Sequence, residues 1–282
     1  MAEAPHARPD FSQAALLIAA HGSPGSAGGR TSTRRHAADL AARGLFRSVS
    51  SGFLTEAPFM GDVLAGLDAD EVYVVPNLAT NGYTAKEKLP EALKLTGPVT
   101  ERLRKGRRQR IHLCHPVGTH PLMSKILADR IGRALEDLAF APADTCVLVV
   151  GHGSTKGRES FERTRQVAGE LSQYGLSAPH EIAFLDEPPF IGDWRDMTDA
   201  PNVLIAPFLI SDGFHAAMDI PRAVGMDPDA AAFQAVLADG GINRATLDGR
   251  HVAYLPAAGD APELADVILA RARAAHELDG KR

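Results

Sequence analysis

The chain carries much of its sequence twice. Displaced by 131 residues, the offset from His21 to His152, it matches itself without a gap from residue 16 to residue 90. Seven of eleven positions are identical between 52–62 (Gly-Phe-Leu-Thr-Glu-Ala-Pro-Phe-Met-Gly-Asp) and 183–193 (Ala-Phe-Leu-Asp-Glu-Pro-Pro-Phe-Ile-Gly-Asp). Thr33-Arg34 overlies Thr164-Arg165, Gly44-Leu45 overlies Gly175-Leu176, and Pro76, Gly82 and Pro90 overlie Pro207, Gly213 and Pro221. Beyond Pro221 the second copy carries about ten extra residues. Gly118, Pro121 and Arg130 then match Gly259, Pro262 and Arg271 at an offset of 141. A duplication on this scale restricts the chain to architectures in which one unit is used twice. The expected units are 1–141 and 142–282, meeting near Pro142.

Within each copy, short apolar runs (15–20, 71–75 and 110–114; then 146–150, 181–185, 203–207 and 251–255) are too continuous for half-exposed strands. They alternate with helical stretches at 33–43, 122–138, 161–174 and 262–275. Strands alternating with helices imply an α/β fold. The expectation is two tandem lobes, each a parallel sheet flanked by helices, with a cleft between them. In such sheets ligands sit beyond the carboxyl ends of the strands. His21, Glu56, His152 and Glu187 all fall just after a strand's last apolar residue.

The run 147–155, Val-Leu-Val-Val-Gly-His-Gly-Ser-Thr, reads as a buried strand delivering an imidazole into a glycine-flanked loop. With Glu187 and His215 it makes an N/N/O donor set suited to divalent Fe, Co, Ni or Zn. The same groups can accept protons near neutrality. The first half keeps His21 and Glu56 but has Thr84, preceded by Tyr83, where the second has His215. The working site is therefore expected in the second half, with the first building the opposite wall. His120 is a further histidine able to approach that cleft, and the glycines of 22–29 offer a weak anion cradle.

Other chemistries fit less well. A histidine phosphatase is expected to have arginine directly before His-Gly, whereas Ala20 and Gly151 stand there. Ser154 lacks the glycines of a nucleophile elbow, and no Walker A sequence occurs. Cys114 and Cys146, the only cysteines, sit in apolar runs and cannot supply a four-cysteine cluster. A net charge of −5 argues against a nucleic-acid partner. The first fourteen residues are polar, and the apolar run after them is too short to span a membrane. A cytoplasmic monomer is expected.

Three separated motifs agree in order with one family. A strand ending in His-Gly-Ser, a Phe-Leu-x-Glu-x-Pro segment, and 207–221 (Pro-Phe-Leu-Ile-Ser-Asp-Gly-Phe-His-Ala-Ala-Met-Asp-Ile-Pro) together resemble the CbiX-type sirohydrochlorin chelatases of class II, in a long duplicated form. The resemblance implies insertion of Co²⁺ or Fe²⁺, with Ni²⁺ a further candidate, into sirohydrochlorin on the path to cobalamin or siroheme. The ion is then a substrate, with no cofactor permanently bound. The resemblance also implies metal binding by His152, Glu187 and His215. From the chemistry of insertion, Glu187 and one imidazole are expected to hold the ion while the other imidazole takes a proton. A tetrapyrrole bearing many carboxylates calls for cations and small donors. Ser154, His21, Arg34 and Arg165 are the expected contacts, with Lys156, Arg158 and Arg163 nearby in sequence. A non-catalytic metal or tetrapyrrole binder, and a ferrochelatase acting on another porphyrin, are the alternative readings.

Overall fold

The computed structural model describes residues 9–24 and 28–280. The first half holds β1 (Ala15–Ala20), α1 (Gly28–Ala42), β2 (Ser48–Phe53), α2 (Met60–Gly66), β3 (Glu71–Asn77), α3 (Leu89–Leu93), β4 (Val99–Arg104), β5 (Arg107–Leu113) and α4 (Leu122–Leu138). The second holds β6 (Thr145–Gly151), α5 (Glu159–Glu170), β7 (His180–Phe184), α6 (Trp194–Met197), β8 (Asn202–Pro207), α7 (Ile220–Val224), α8 (Ala231–Ala238), β9 (Asn243–Leu247), β10 (Arg250–Tyr254) and α9 (Leu264–Asp279).

Each half builds one five-stranded sheet, in the orders β2-β1-β3-β5-β4 and β7-β6-β8-β10-β9. The sheets are not wholly parallel, because β4 and β9 run antiparallel to β5 and β10 at one edge. Each edge hairpin closes on two left-handed residues: Lys105 (φ 48°) and Gly106 (φ 77°), then Asp248 (φ 49°) and Gly249 (φ 77°). That pair of positive φ values gives the two-residue turn whose twist matches the strands it joins. The ten-residue excess of the second half falls in the segment that holds α8, between α7 and β9.

Strand parity divides the apolar residues among three cores. Ala15, Leu17 and Ala19 face α2 and α3, and Cys146, Leu148 and Val150 face the α6–α8 side. The other parity, Leu16 and Ile18 with Val147 and Val149, faces one central core that both halves share. That core is completed by exchanged helices. Helix α9 packs on β3, β5 and α1 of the first half, and α4 packs on α5 of the second. Buried Met123, Leu127, Ile131 and Ala134, and Leu264, Ile268 and Ala272, form the inward stripes of the two helices at i, i+3 and i+4 spacing.

Polar contacts follow the exchange. Arg271 Nε donates to Pro116 O at 3.0 Å and Arg130 Nη2 to Pro256 O at 3.0 Å, so the repeat-matched arginines reach across in opposite directions. Tyr73 Oη and His276 Nδ1 stand 2.8 Å apart, and Arg110 pairs with Asp279 at 2.6 Å. The boundary near Pro142 thus separates two sheets but not two cores. Gly118 and Gly259 show why the repeat kept them: a Cβ would stand 2.1 Å from Ala79 O in one half and 2.2 Å from Ile210 O in the other. No described helix is long and apolar enough to cross a membrane.

Candidate active site

The strand ends that carry His21 and His152 are built alike. Past β6 the chain turns at Gly153 (φ 84°), and past β1 at Gly22 (φ 86°). A side chain at Gly153 would face both this left-handed φ and the Asp186 and Glu187 amides, each 3.1 Å from its Cβ. The carbonyl of His152 accepts from Leu185 N–H (3.2 Å) and Asp186 N–H (3.0 Å), as that of His21 does from Leu54 and Thr55. Glu187 Oε1 then accepts from Ser154 N–H at 3.0 Å, and Glu56 Oε1 from Ser23 N–H at 2.7 Å. In both halves the glutamate closes the histidine loop. The peptide bonds Ala57–Pro58 and Pro188–Pro189, just beyond, are both cis.

The halves diverge in what surrounds this frame. His215 opens a π-helical turn, His215–Asp219, after β8, and its ring meets that of His152 edge-on, 4.4 Å between centroids at 87°. His152 Nδ1 lies 3.0 Å from Gly153 O and 3.4 Å from Asp186 Oδ2. A carbonyl only accepts, so this nitrogen is the donor, and the neutral ring carries its lone pair on Nε2. His215 Nδ1 stands 2.7 Å from Asp219 Oδ2, which fixes the same tautomer through a carboxylate. Neither Nε2 has a hydrogen-bond partner among the described residues. In the first half the matching turn is Thr84–Lys88, so Thr84 and Lys88 replace His215 and Asp219. There Arg30 pairs with Glu56 at 3.1 Å; its counterpart Phe161 stacks on Phe184 and leaves Glu187 without a cation among the described residues.

The two imidazoles open onto a cleft of about 770 Å³ between the halves, at the carboxyl ends of both sheets. The first half contributes His21, Ser23, Tyr83 and Lys88, and the second Ser154, Lys156 and Phe214. The walls touch where Ser23 Oγ accepts from Phe214 N–H at 3.1 Å, so the first His-Gly-Ser loop supports the turn carrying His215.

Of the residues singled out from sequence, the structure brings together His152 and His215, with Ser154 and His21 on the same cleft. It does not bring Glu187 to them: its carboxylate is turned onto the loop amide. Among the described residues no three His, Cys, Asp or Glu side chains form a ready metal-holding group. Arg34 and Arg165 do not line the cleft. Arg34 is exposed on α1, and Arg165 pairs with Glu162 at 2.7 Å on the exposed face of α5. Arg158 lies over the Phe161 ring, 4.6 Å from its centroid. Arg163 is buried, donating to Gly118 O (2.8 Å) and His120 O (2.9 Å) across the central core. His120 is tied into that junction and does not line the cleft. Of the glycine-rich 22–29 stretch, residues 25–27 lie outside the described residues. Both cysteines are buried, and burial pushes both thiols up.

Asp186, Asp219, Tyr83 and Lys88 were not singled out from sequence as site residues. The His-x-x-x-Asp spacing is a readable signal for Asp219, because residues four apart on a helical turn meet.

Comparison with known proteins places the chain in a family. The chain is 30% identical over 271 residues to a probable sirohydrochlorin cobaltochelatase of Halobacterium salinarum, covering 92% of this chain and 90% of that protein. It superposes on the structure of CbiX, described as the terminal enzyme of siroheme biosynthesis in denitrifying bacteria, with TM-score 0.62 at 25% identity, over 93% of this chain and 98% of that one. A multi-domain Deinococcus radiodurans protein with structural similarity to chelatases gives TM-score 0.70 at 25% identity over 93% of this chain, which spans 54% of that longer protein. The CbiX family model matches residues 15–134 and again residues 146–275. With both copies of the repeat matched, the chain belongs to the CbiX family.

Proposed function

We propose that this protein is a chelatase that inserts Co²⁺ or Fe²⁺ into sirohydrochlorin. One observation carries the reading: two imidazoles in edge contact on an open two-walled cleft, each with Nδ1 committed to an acceptor and Nε2 without a partner among the described residues. The names borne by the relatives supply the substrate class.

Metal insertion releases two pyrrole N–H protons for each divalent ion that enters the ring. The protein must therefore hold the ion loosely, present it to one face of the macrocycle, and take up the protons. A closed four-ligand site would retain the ion, whereas two neutral imidazoles leave coordination positions for the ring nitrogens. As the ion passes into the ring, each Nε2 that it vacates becomes a base at the right place. Asp219, and Asp186 with the Gly153 carbonyl, sit behind the two Nδ1–H groups and stabilise the imidazolium that each ring becomes. Two protons thus meet two carboxylate-backed bases. Glu187 joins the ion only by turning away from Ser154 N–H. Its Oε2 has no ion-pair partner among the described residues, unlike that of Glu56.

Imidazole donors accept several first-row ions, so the choice between cobalt and iron is read from turnover. The test is sirohydrochlorin incubated with the protein and each of Co²⁺, Fe²⁺ and Ni²⁺, followed by absorbance. Protein-dependent conversion to the metallated spectrum is expected with Co²⁺ or Fe²⁺. Tight binding of sirohydrochlorin without conversion by any ion would favour a non-catalytic binder.

A further inference from the structure

The turn that lost its histidine in the first half has gained something in its place. Tyr83, directly before Thr84–Lys88, is 43% exposed, and its counterpart Phe214, directly before His215–Asp219, is 45% exposed. Both rings line the cleft, one from each wall. Around Tyr83 stand two ammonium groups from opposite halves: Lys88 Nζ, 5.6 Å from the ring centroid, and Lys156 Nζ, 4.9 Å from it. Neither lysine has a carboxylate within ion-pair distance among the described residues. Their neighbour Lys86 shows what a neutralised cation here looks like, paired with Glu159 at 2.8 Å.

An ammonium resting on an aromatic face in a half-open cleft keeps its charge available for a stronger partner. A carboxylate is such a partner, because an ionised acceptor forms a shorter and stronger bond than the ring quadrupole provides. Once the lysines turn to carboxylates, the Tyr83 face is free to lie against a flat apolar body. The chemistry around Tyr83 thus matches a planar ring with acids along its rim, in the same cleft onto which the metal-handling imidazoles open.

We infer that Lys88 and Lys156, with Tyr83 between them, form a clamp for the rim carboxylates of the macrocycle that sets its orientation and selects for its acidity. The inference rests on the chelatase reading and adds the residues that choose the substrate. Groups that hold the rim and not the reacting nitrogens contribute binding that is equal in ground and transition states.

The experiment is a fluorescence titration of the full chain, without added metal, with the octacarboxylate uroporphyrin and the tetracarboxylate coproporphyrin. The variants are Lys88→Ala, Lys156→Ala, the double variant, Tyr83→Phe and Tyr83→Ala, with Lys125→Ala on the exposed face of α4 as a remote control. The parent is expected to bind uroporphyrin more tightly than coproporphyrin. The double variant should lose roughly tenfold for uroporphyrin and less for coproporphyrin, as charge-assisted bonds in a partly hydrated cleft imply. Tyr83→Phe should retain affinity that Tyr83→Ala loses. In metal insertion the double variant should raise KM for sirohydrochlorin with kcat retained. A double variant that binds uroporphyrin like a parent still competent in metal insertion would overturn the clamp and leave the chelatase reading standing. A parent that binds neither porphyrin and inserts no metal would overturn both.

Discussion

The two halves share one sheet topology, and around their matching strand-end loops a few side chains set the second wall of the cleft apart from the first. In both, a strand ends in His-Gly-Ser, a glutamate clasps the following amide, and a π-helical turn with an exposed aromatic before it faces the cleft. The first half has Arg30 on its glutamate, and Thr84 and Lys88 in the turn. The second has Phe161 where a guanidinium would stand, and a histidine backed by an aspartate. Three substitutions separate the first wall from the proposed site. The frame is structural in both halves, since Glu56 and Glu187 do the same job in each. What sets the second apart is a pair of imidazoles whose Nε2 atoms have no partner among the described residues.

The comparison breaks most visibly at those imidazoles. His152→Ala and His215→Ala should each lower the initial rate of metal insertion by on the order of 10³, the scale of a lost ligand and proton acceptor, with the thermal midpoint nearly unchanged. If either variant turned over like the parent, the second half would lose its distinction. Asp219→Asn comes next. It keeps the shape behind His215 but removes the carboxylate, and calorimetric titration with Co²⁺ should show affinity reduced about 10–100-fold. Phe161→Arg then converts the second half toward the first by bringing a cation to Glu187. About a tenfold lower rate is expected if that carboxylate serves the ion, whereas a parental rate would confine Glu187 to clasping the loop.

The smallest effect on turnover is expected at Asp212, three residues before His215, where the first half has Asn81. Its carboxylate accepts from Ala257 N–H at 2.8 Å. Burial pushes its pKa up to about 6 and repulsion from Asp260 adds to this, while the Ala257 amide and the charges of Arg130 and Arg35 oppose it. In the unfolded chain the group titrates near 3.8. Between these values the folded state binds the extra proton, so the stabilising contribution is complete below about pH 4 and lost as pH rises through about 6. Asp212→Asn keeps an acceptor for Ala257 and removes the buried charge. It should raise stability at pH 7.5 by about 1–3 kcal/mol and flatten the pH dependence of thermal unfolding between pH 4 and 6. A variant less stable than the parent at pH 7.5 would contradict this.

Much of the fold is legible in the sequence because its most constrained positions admit few residues. Gly118 and Gly259 are pressed against a neighbouring carbonyl, and Gly22 and Gly153 turn left-handed, so the repeat survives where the backbone leaves no choice. The edge strands are harder to read. Strand β2 is Ser-Val-Ser-Ser-Gly-Phe and half exposed, and β4 and β9 form hairpins whose outer faces are polar, so no continuous apolar run marks them. The helix exchange is not legible at all: an apolar stripe on α4 or α9 says that something covers it, not which sheet. The histidines at 152 and 215 are readable because strand-end placement and residue type agree. Arg34 and Arg165 mislead because repeat equivalence guarantees the same place in two lobes, not that the place faces the cleft. Glu187 is read as a metal ligand from its position, yet the amide that it clasps is backbone, which no pattern of side chains displays.

Counting Co²⁺ ions bound per chain tests the asymmetry between the halves most directly, by titration of the parent, His152→Ala, His215→Ala and His21→Ala proteins. One ion per chain is predicted for the parent and for His21→Ala, and none at comparable affinity for the other two. Two ions per chain, or an ion that survives loss of His215 but not of His21, would contradict the assignment of the site to the second half.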